Sequence, residues 1–385
     1  MPALTAEPNL VLTNARLVLG SEIVLGTLTI RDGRIAAIDT GTCSVAGALD
    51  LDGDWLIPGL VEIHTDNLER HLMPRPKTHF PPQPALLAHD AEVASAGITT
   101  VFDALGVGDP YGDSFRSQNH ADLIDLLDRL EARGLLRARH LLHVRCELPA
   151  ANTRDLFSAY ADCARLRMLS LMDHTPGQRQ WTDIEHARTY FTGKKGWTNE
   201  QFDHEVMHAP ERQRLYVAPN RHYFAAFARE RGVALATHDD TTEAHVQEAV
   251  DDGATISEFP TTALAARCAR THGLATVAGA PNVVRGGSHS GNVAAIDLAR
   301  DGLLDVLSSD YVPASLLTAA WRLHHDAELP LPAAVATVSG NAARAAGLTD
   351  RGEIAVGLLA DLVRVREFDR QPVVGDVWVN GRRVH

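Results

Sequence analysis

Cysteine is scarce in this sequence. Its four residues, Cys43, Cys146, Cys163 and Cys268, form no CxxC pair. That spacing excludes a disulfide scaffold and a cysteine-ligated zinc site, and it suits a reducing compartment. Long hydrophobic runs are missing too, since none approaches the roughly eighteen apolar residues of a membrane helix. The first twenty residues, MPALTAEPNLVLTNARLVLG, lack the charged start and unbroken apolar core of a signal peptide. A soluble cytoplasmic protein with no membrane partner is expected. Positive charge is outweighed, with 36 Lys and Arg against 49 Asp and Glu and a net charge of −13. This argues against nucleic acid as a partner, because phosphate backbones select basic surfaces. A local basic pocket for a small anion stays compatible with that balance. No GxGxxG follows a strand-like run, and no GxSxG nucleophile elbow occurs. Cys146 is a poor nucleophile candidate, because the adjacent Glu147 raises a thiol pKa.

What is present is a chain of 385 residues, 45% hydrophobic and 22% charged, enough for one large domain or a large one with a satellite. The first 55 residues read as short strands. NLVLTNARLVL and GTLTIRDGRIAAID alternate apolar and polar positions, with Asp32-Gly33 as a hairpin turn. RGEIAVGLLADLVRVRE and VGDVWVNGRRV, the latter with an Asn380-Gly381 turn, read the same way. Residues 1–55 and 350–385 are therefore expected to form one small β-sandwich domain.

Between them, over 56–349, eight apolar runs alternate with segments of helical period: LIPGLVEI, GITTVFDAL, RHLLHVRCEL, RLRMLSLMDH, GVALATHDD, ATISEFP, LATVAGAP and LLDVLSSD. LIDLLDRLEARG and HYFAAFARERG are clear helices, each closing on a glycine. Eight runs predict an α/β fold, a (β/α)8 TIM-like barrel. The long polar segment at about 175–215 reads as an insertion or lid.

Barrel enzymes place their chemistry at the C-terminal strand ends. Those positions here carry His64 and Asp66, Asp103, Glu147, His174, His238 with Asp239 and Asp240, Glu258, and Asp310. An Asp there often caps the following helix, and that bland reading applies to Asp103 and Asp240. Imidazoles and carboxylates from separate strands meeting at one end instead suit a divalent cation. Nitrogen and oxygen donors without thiolate point to zinc first, with manganese, iron or nickel as alternatives, as one ion or two. Such an ion supplies an acidified water, and a nearby carboxylate takes its proton. Asp310 is the candidate base and also a candidate ligand.

These residues resemble the amidohydrolase superfamily: a first strand ending in HxD, a mid-barrel carboxylate, two later histidines, a final Asp, and the closing GEIAVGLLADLVRV. Within it, EIHTDNLERHLMPRPKTHFPP, ITTVFDALGVGD, HVRCELP, SLMDHTPGQRQ, THDDTTEAHV, EFPTT and GAPNVVRGGSHSGN are together similar to the alpha-D-ribose 1-methylphosphonate 5-triphosphate diphosphatase family of phosphonate catabolism. The resemblance implies a metal-dependent hydrolase that releases diphosphate from a small ribosyl phosphonate triphosphate. It also implies His64, Asp66, Glu147, His174, His238 and Asp310 as metal ligands. Such a polyanion requires cations and N–H donors. Arg75, Lys77, Arg145, Arg179, Arg285 and His289 are the candidates, with Lys194 and Lys195 weaker ones and Gly286-Gly287-Ser288 a candidate anion nest. A cyclic amidase, an N-acyl deacetylase and a metal-free scaffold protein are the competing readings, and a homo-oligomer is left open.

Overall fold

The computed structural model describes residues 10–75, 78–110, 120–181, 183–193, 196–288 and 291–385. The chain divides into two compact units, Met1–Ala104 with Leu123–Leu141 and Ala278–His385, and Leu105–Asp122 with Leu142–Val277.

The first unit holds β1 (Leu10–Val18), β2 (Ile23–Arg31), β3 (Arg34–Thr40), β4 (Leu49–Asp50) and β5 (Trp55–Pro58). After β6 (Leu60–Thr65) come β7 (Ile98–Val107), β8 (Arg139–Glu147), β9 (Leu166–Met172), β10 (Ala234–His238), β11 (Ile256–Glu258), β12 (Ala275–Gly279) and β13 (Val306–Ser308). The last strands are β14 (Leu362–Phe368), β15 (Gln371–Val379) and β16 (Arg382–Arg383).

One sheet runs β16-β15-β14-β5-β1-β2-β3, with β4 beside β1. Its pairings are antiparallel except where β1 meets β4 and β5. Alternation along β1 and β2 buries Leu12, Leu17, Leu28 and Ile30 with Leu56, Leu362 and Trp378, so one face carries a core of its own. Both predicted turns occur. Asp32 and Gly33 have φ of 50° and 74°, and Asn380 and Gly381 have 51° and 72°, the left-handed pair that a two-residue hairpin demands. The stretch from Arg351 to Asp361 departs from the strand reading. It runs through turns and meets the sheet at the bridge of Arg34 to Leu359 and through hydrogen bonds such as Ile35 N to Leu358 O and Ala360 N to Gly33 O.

The other sheet contains all eight predicted strands in chain order, β6 through β13. Every residue of β6 and β7 is buried, which is why such strands read as unbroken apolar runs. The resolved pairings β6·β7, β8·β9, β9·β10, β10·β11 and β11·β12 are parallel. A single residue, Gly59, separates β5 in one sheet from β6 in the other. A Cβ there would lie 2.2 Å from Thr99 Oγ1, so only glycine allows the chain to pass.

In the second unit the segment at 175–215 contains a 3-10 turn (Arg179–Trp181), a helix (Ile184–Gly193) and the start of a 33-residue helix, Asn199–Arg231. Thr198 and Gln201 close its N-terminus as a capping box, and Gly232 at φ 64° ends it. Trp181, Ala187, Phe191 and Phe202 form a small core of their own. No helix among the described residues is long and apolar enough to cross a membrane.

Candidate active site

In the first unit the end of β6 is tied to the end of β13. Thr65 Oγ1 donates to Asp310 O at 2.6 Å, and Asp66 N donates to the same carbonyl at 3.2 Å. Asp310 reaches this position at φ 53°, a left-handed corner that few non-glycine residues adopt. Asp66 stands at the start of the helix Asn67–Leu72, yet its side chain makes no capping bond. Asp66, at the helix start, and Asp310, at its left-handed corner, are therefore held at one strand end beside buried His64. Beneath them Glu62 is wholly buried and braces both strands. It accepts from His64 N at 2.6 Å, from Ser308 Oγ at 2.9 Å and from Ser309 N. Burial pushes its carboxyl up to about 7 despite those donors.

The second unit assembles the denser cluster. Glu147, at the end of β8, accepts from His174 Nδ1 at 2.6 Å and from His174 N at 3.0 Å. This carboxylate fixes the ring so that Nε2 points away, the usual way an outer carboxylate orients a ligating imidazole. Burial lowers the His174 pKa, but the Glu147 charge and hydrogen bond outweigh it and leave it raised. His238 ends β10 with Nδ1 3.3 Å from Glu258 Oε2 at the end of β11. The Nε2 atoms of both rings face Asp239. His238 Nε2 lies 3.5 Å from Asp239 Oδ2, and His174 Nε2 lies 3.9 Å from it.

Those separations are long for hydrogen bonds and right for atoms sharing a cation at about 2.0–2.2 Å. Asp239 Oδ2 is buried and has no hydrogen-bond partner, so three donors converge on a point where nothing satisfies the carboxylate. Burial is the main reason that its pKa rises to about 6, against the nearby charges of His174, Arg179 and Arg145. Nitrogen and oxygen donors in this arrangement fit a divalent metal.

Asp239 and Asp240 are adjacent but separate in role. Asp239 sits at φ 56° and faces the two rings. Asp240 turns inward to Arg179 Nη1 at 2.6 Å, Thr237 Oγ1 at 2.9 Å and Ser257 Oγ at 3.1 Å. Arg179 also donates to His238 O at 2.9 Å. This buried guanidinium, expected to meet substrate, braces the turn that presents His238 and Asp239. Neither Asp240 nor Asp103 caps a helix; Thr242 caps the helix after β10.

Among the other expected residues, Arg145 lies close enough to lower the pKa of both Asp239 and His174 by its charge. Arg75 and Arg285 are exposed. Gly286 N and Gly287 N donate to Val283 O and Asn282 O, ending the helix Ala280–Arg285, so these two amides are not available as an anion nest. Lys77, His289, Lys194 and Lys195 lie outside the described residues. The Cys146 thiol is pushed well up by burial and by Glu147, which agrees with its exclusion as a nucleophile.

Sequence reasoning did not find a second histidine–carboxylate cluster in the first unit. His89 Nε2 donates to Asp103 Oδ1 at 2.7 Å and His140 Nδ1 to Asp103 Oδ2 at 2.8 Å. His140 Nε2 stands 3.4 Å from Asp90 Oδ1, and Asn67 Nδ2 donates to His89 Nδ1 at 3.0 Å. His89 lies in mid-helix and His140 at the start of a strand, where neither position signals a site.

A sequence model of the amidohydrolase family matches residues 55–384. The alpha-D-ribose 1-methylphosphonate 5-triphosphate diphosphatase of Escherichia coli (strain K12) is 45% identical over 382 residues, covering 97% of this chain and 100% of that protein. The chain belongs to the amidohydrolase family, in the branch of this diphosphatase. Among solved structures, amidohydrolase-fold relatives superpose along nearly the whole chain. The N-acetyl-D-glucosamine-6-phosphate deacetylase of Mycobacterium smegmatis is 18% identical with a TM-score of 0.63, over 98% of this chain and 100% of its own. The 5-methylcytosine deaminase of Klebsiella pneumoniae is 16% identical with a TM-score of 0.63, over 98% of both chains. At such identities the likeness shows the fold alone.

Proposed function

We propose that this protein hydrolyses alpha-D-ribose 1-methylphosphonate 5-triphosphate to the 5-phosphate and diphosphate, in the cytoplasm, as a step of phosphonate catabolism. The observation that carries the reaction class is the orphaned Asp239 carboxylate facing two imidazole nitrogens. The substrate follows from the 45%-identical relative of Escherichia coli, an alpha-D-ribose 1-methylphosphonate 5-triphosphate diphosphatase.

The residues proposed to hold the metal are His64, Asp66 and Asp310 at the ends of β6 and β13, with His174, His238 and Asp239 after β9 and β10, while Glu147, expected as a ligand, has both carboxylate oxygens on His174. A divalent ion held there, zinc first, would lower the pKa of a coordinated water from about 15.7 toward 7. The chain's own groups do the rest. Asp310 takes the water proton as its oxygen bonds to phosphorus and the anhydride P–O bond breaks, with the electron pair leaving on the diphosphate. Glu147 and Glu258 keep the rings of His174 and His238 turned outward, and Arg179 holds the His238–Asp240 turn in place. Arg75, Lys77, Arg145, Arg285 and His289 are proposed to bind the triphosphate. The same reading assigns 1–55 with 350–385 to the β-sandwich and 56–349 to the catalytic barrel.

Phosphorus NMR of the products made in oxygen-18 water, with metal content measured on the same sample, tests this. Diphosphate and the 5-phosphate should form in equal amounts, one of them carrying a single oxygen-18. Turnover of a hydantoin or an N-acetyl sugar without diphosphate release would replace this reading with the amidase or deacetylase one. Metal content below about a fifth of an ion per chain, on the scale where tight ligand sets stay loaded, favours the scaffold reading.

A further inference from the structure

The turns Asp32-Gly33 and Asn380-Gly381 have no part in the chemistry above, yet their tips pack against one another. A Cβ on Gly33 would lie 2.9 Å from Asn380 O, and one on Gly381 would lie 2.8 Å from Ile30 Cγ2 and 3.5 Å from Gly33 Cα. Asn380 N also donates to Asp361 Oδ1 at 2.8 Å. Two hairpins locked this closely make a stiff wall, and a cavity of about 470 Å³ opens beside it. That volume falls inside the roughly 300–1,000 Å³ of small-molecule sites.

Five guanidinium groups line this cavity, from Arg34, Arg137, Arg139, Arg351 and Arg382. Only three carboxylates join them, those of Asp32, Glu131 and Asp350. Two of the arginines are neutralised and fixed. Arg351 is buried, pairs with Asp350 at 2.9 Å and donates to Thr100 Oγ1 at 2.8 Å. Arg137 lies 3.1 Å from buried Asp90. The other three are different. Arg34 donates to Gly357 O at 2.7 Å and Arg382 to Leu136 O at 3.2 Å, while Arg139 stands 4.0 Å from Glu131. A carbonyl satisfies one N–H but cancels no charge, and each guanidinium carries five N–H donors. Buried Asp361 adds a carboxylate 3.8 Å from Arg351 and near Arg139. Charge is therefore balanced here, and what the lining offers a ligand is N–H donors, those of Arg34 and Arg382 beyond the one each spends on a carbonyl. Arg139 begins β8, whereas Glu147, which orients His174, ends it.

We infer that this cavity binds a small phosphate-type polyanion, of which inorganic diphosphate is the representative, at a second site separate from the strand-end cluster. Planar, forked donors on a rigid wall suit bidentate contacts to such oxygens. The inference stands apart from the proposed reaction, and because diphosphate is also the proposed product, the test silences the strand-end cluster first.

Calorimetric titration with inorganic diphosphate is run on the His238→Ala variant in the presence of a chelator. One-to-one binding should persist there. Adding Arg34→Gln and Arg382→Gln should weaken it on the order of tenfold or more, the scale of one lost charge-assisted contact. Arg34→Lys with Arg382→Lys should lose less. Absence of binding in the His238→Ala protein, or binding that neither arginine pair alters, overturns the inference. If the glutamine pair does not fold, Arg139→Gln in the same background gives the same reading.

Discussion

The cluster of His89, Asp103 and His140 and the cluster of His174, His238 and Asp239 each bring two imidazoles within 4.8 Å of one carboxylate. In the first, protons complete the contacts. Asn67 donates to His89 Nδ1, so that ring keeps its proton on Nε2 and stays neutral, and burial first of all lowers its pKa. His140 faces a carboxylate from each nitrogen. Burial opposes its charge, but Asp103 and Asp90 outweigh it and raise its pKa to about 9. Asp103 is held far below the usual carboxylate range, because the two histidines overcome the effect of burial. In the second cluster the distances are 3.5 and 3.9 Å, and Asp239 Oδ2 is unsatisfied. The same side chains thus build a structural ion cluster in one place and a convergent ligand set in the other. Residue type does not separate them, whereas the fit of protons to lone pairs does.

The largest effect that can break this contrast is on turnover. His238→Ala should lower kcat/KM by about 10³ or more, the scale lost with a transition-state charge stabiliser, and leave the urea midpoint near the parent's. Retained activity would empty the second cluster of its role. His140→Gln should do the reverse, removing about 3–5 kcal/mol of unfolding free energy by leaving Asp103 and Asp90 underpaired, as read by urea melts. A midpoint unchanged within error would mean that the first cluster is not an ion cluster at all.

The pH dependence sharpens the same point. The folded pKa of His140, about 9, lies above its ordinary 6.5. Its contribution is therefore complete below about pH 6.5 and is lost as pH rises through about 9. Urea midpoints should fall over that window in the parent and less so in His140→Gln. Asp239→Asn has the smallest expected effect on stability. In chelator it should raise the unfolding free energy by on the order of 1 kcal/mol, since the burial of an unsatisfied carboxylate is relieved. With metal added, the advantage should reverse.

Much of the barrel could be read directly because parallel strands buried on both faces appear as short apolar runs with a polar residue at the end. LIPGLVEI ending at His64 and GVALAT ending at His238 are such cases. The division of labour within Asp239-Asp240 could not be read. It depends on a left-handed corner at Asp239 and on Arg179 arriving from sixty residues away. The partnership of His89 with His140 was hidden for the same reason, since a helix interior and a strand start meet only through packing. Arg179 misled because a basic residue in a polar loop carries no sign of whether its charge will be met by solvent, ligand or a buried Asp.

The pairing of β5 with β14 has a consequence in time. Pro58 and Leu362 are partners across the sheet, so about 300 residues separate the synthesis of one from that of the other. At roughly 5–20 residues per second, β5 waits some 15–60 s for its neighbour while its open edge stays available to other chains. Slow translation of the central region should therefore show itself first as aggregation of nascent chains, before any catalytic group has been made imperfectly.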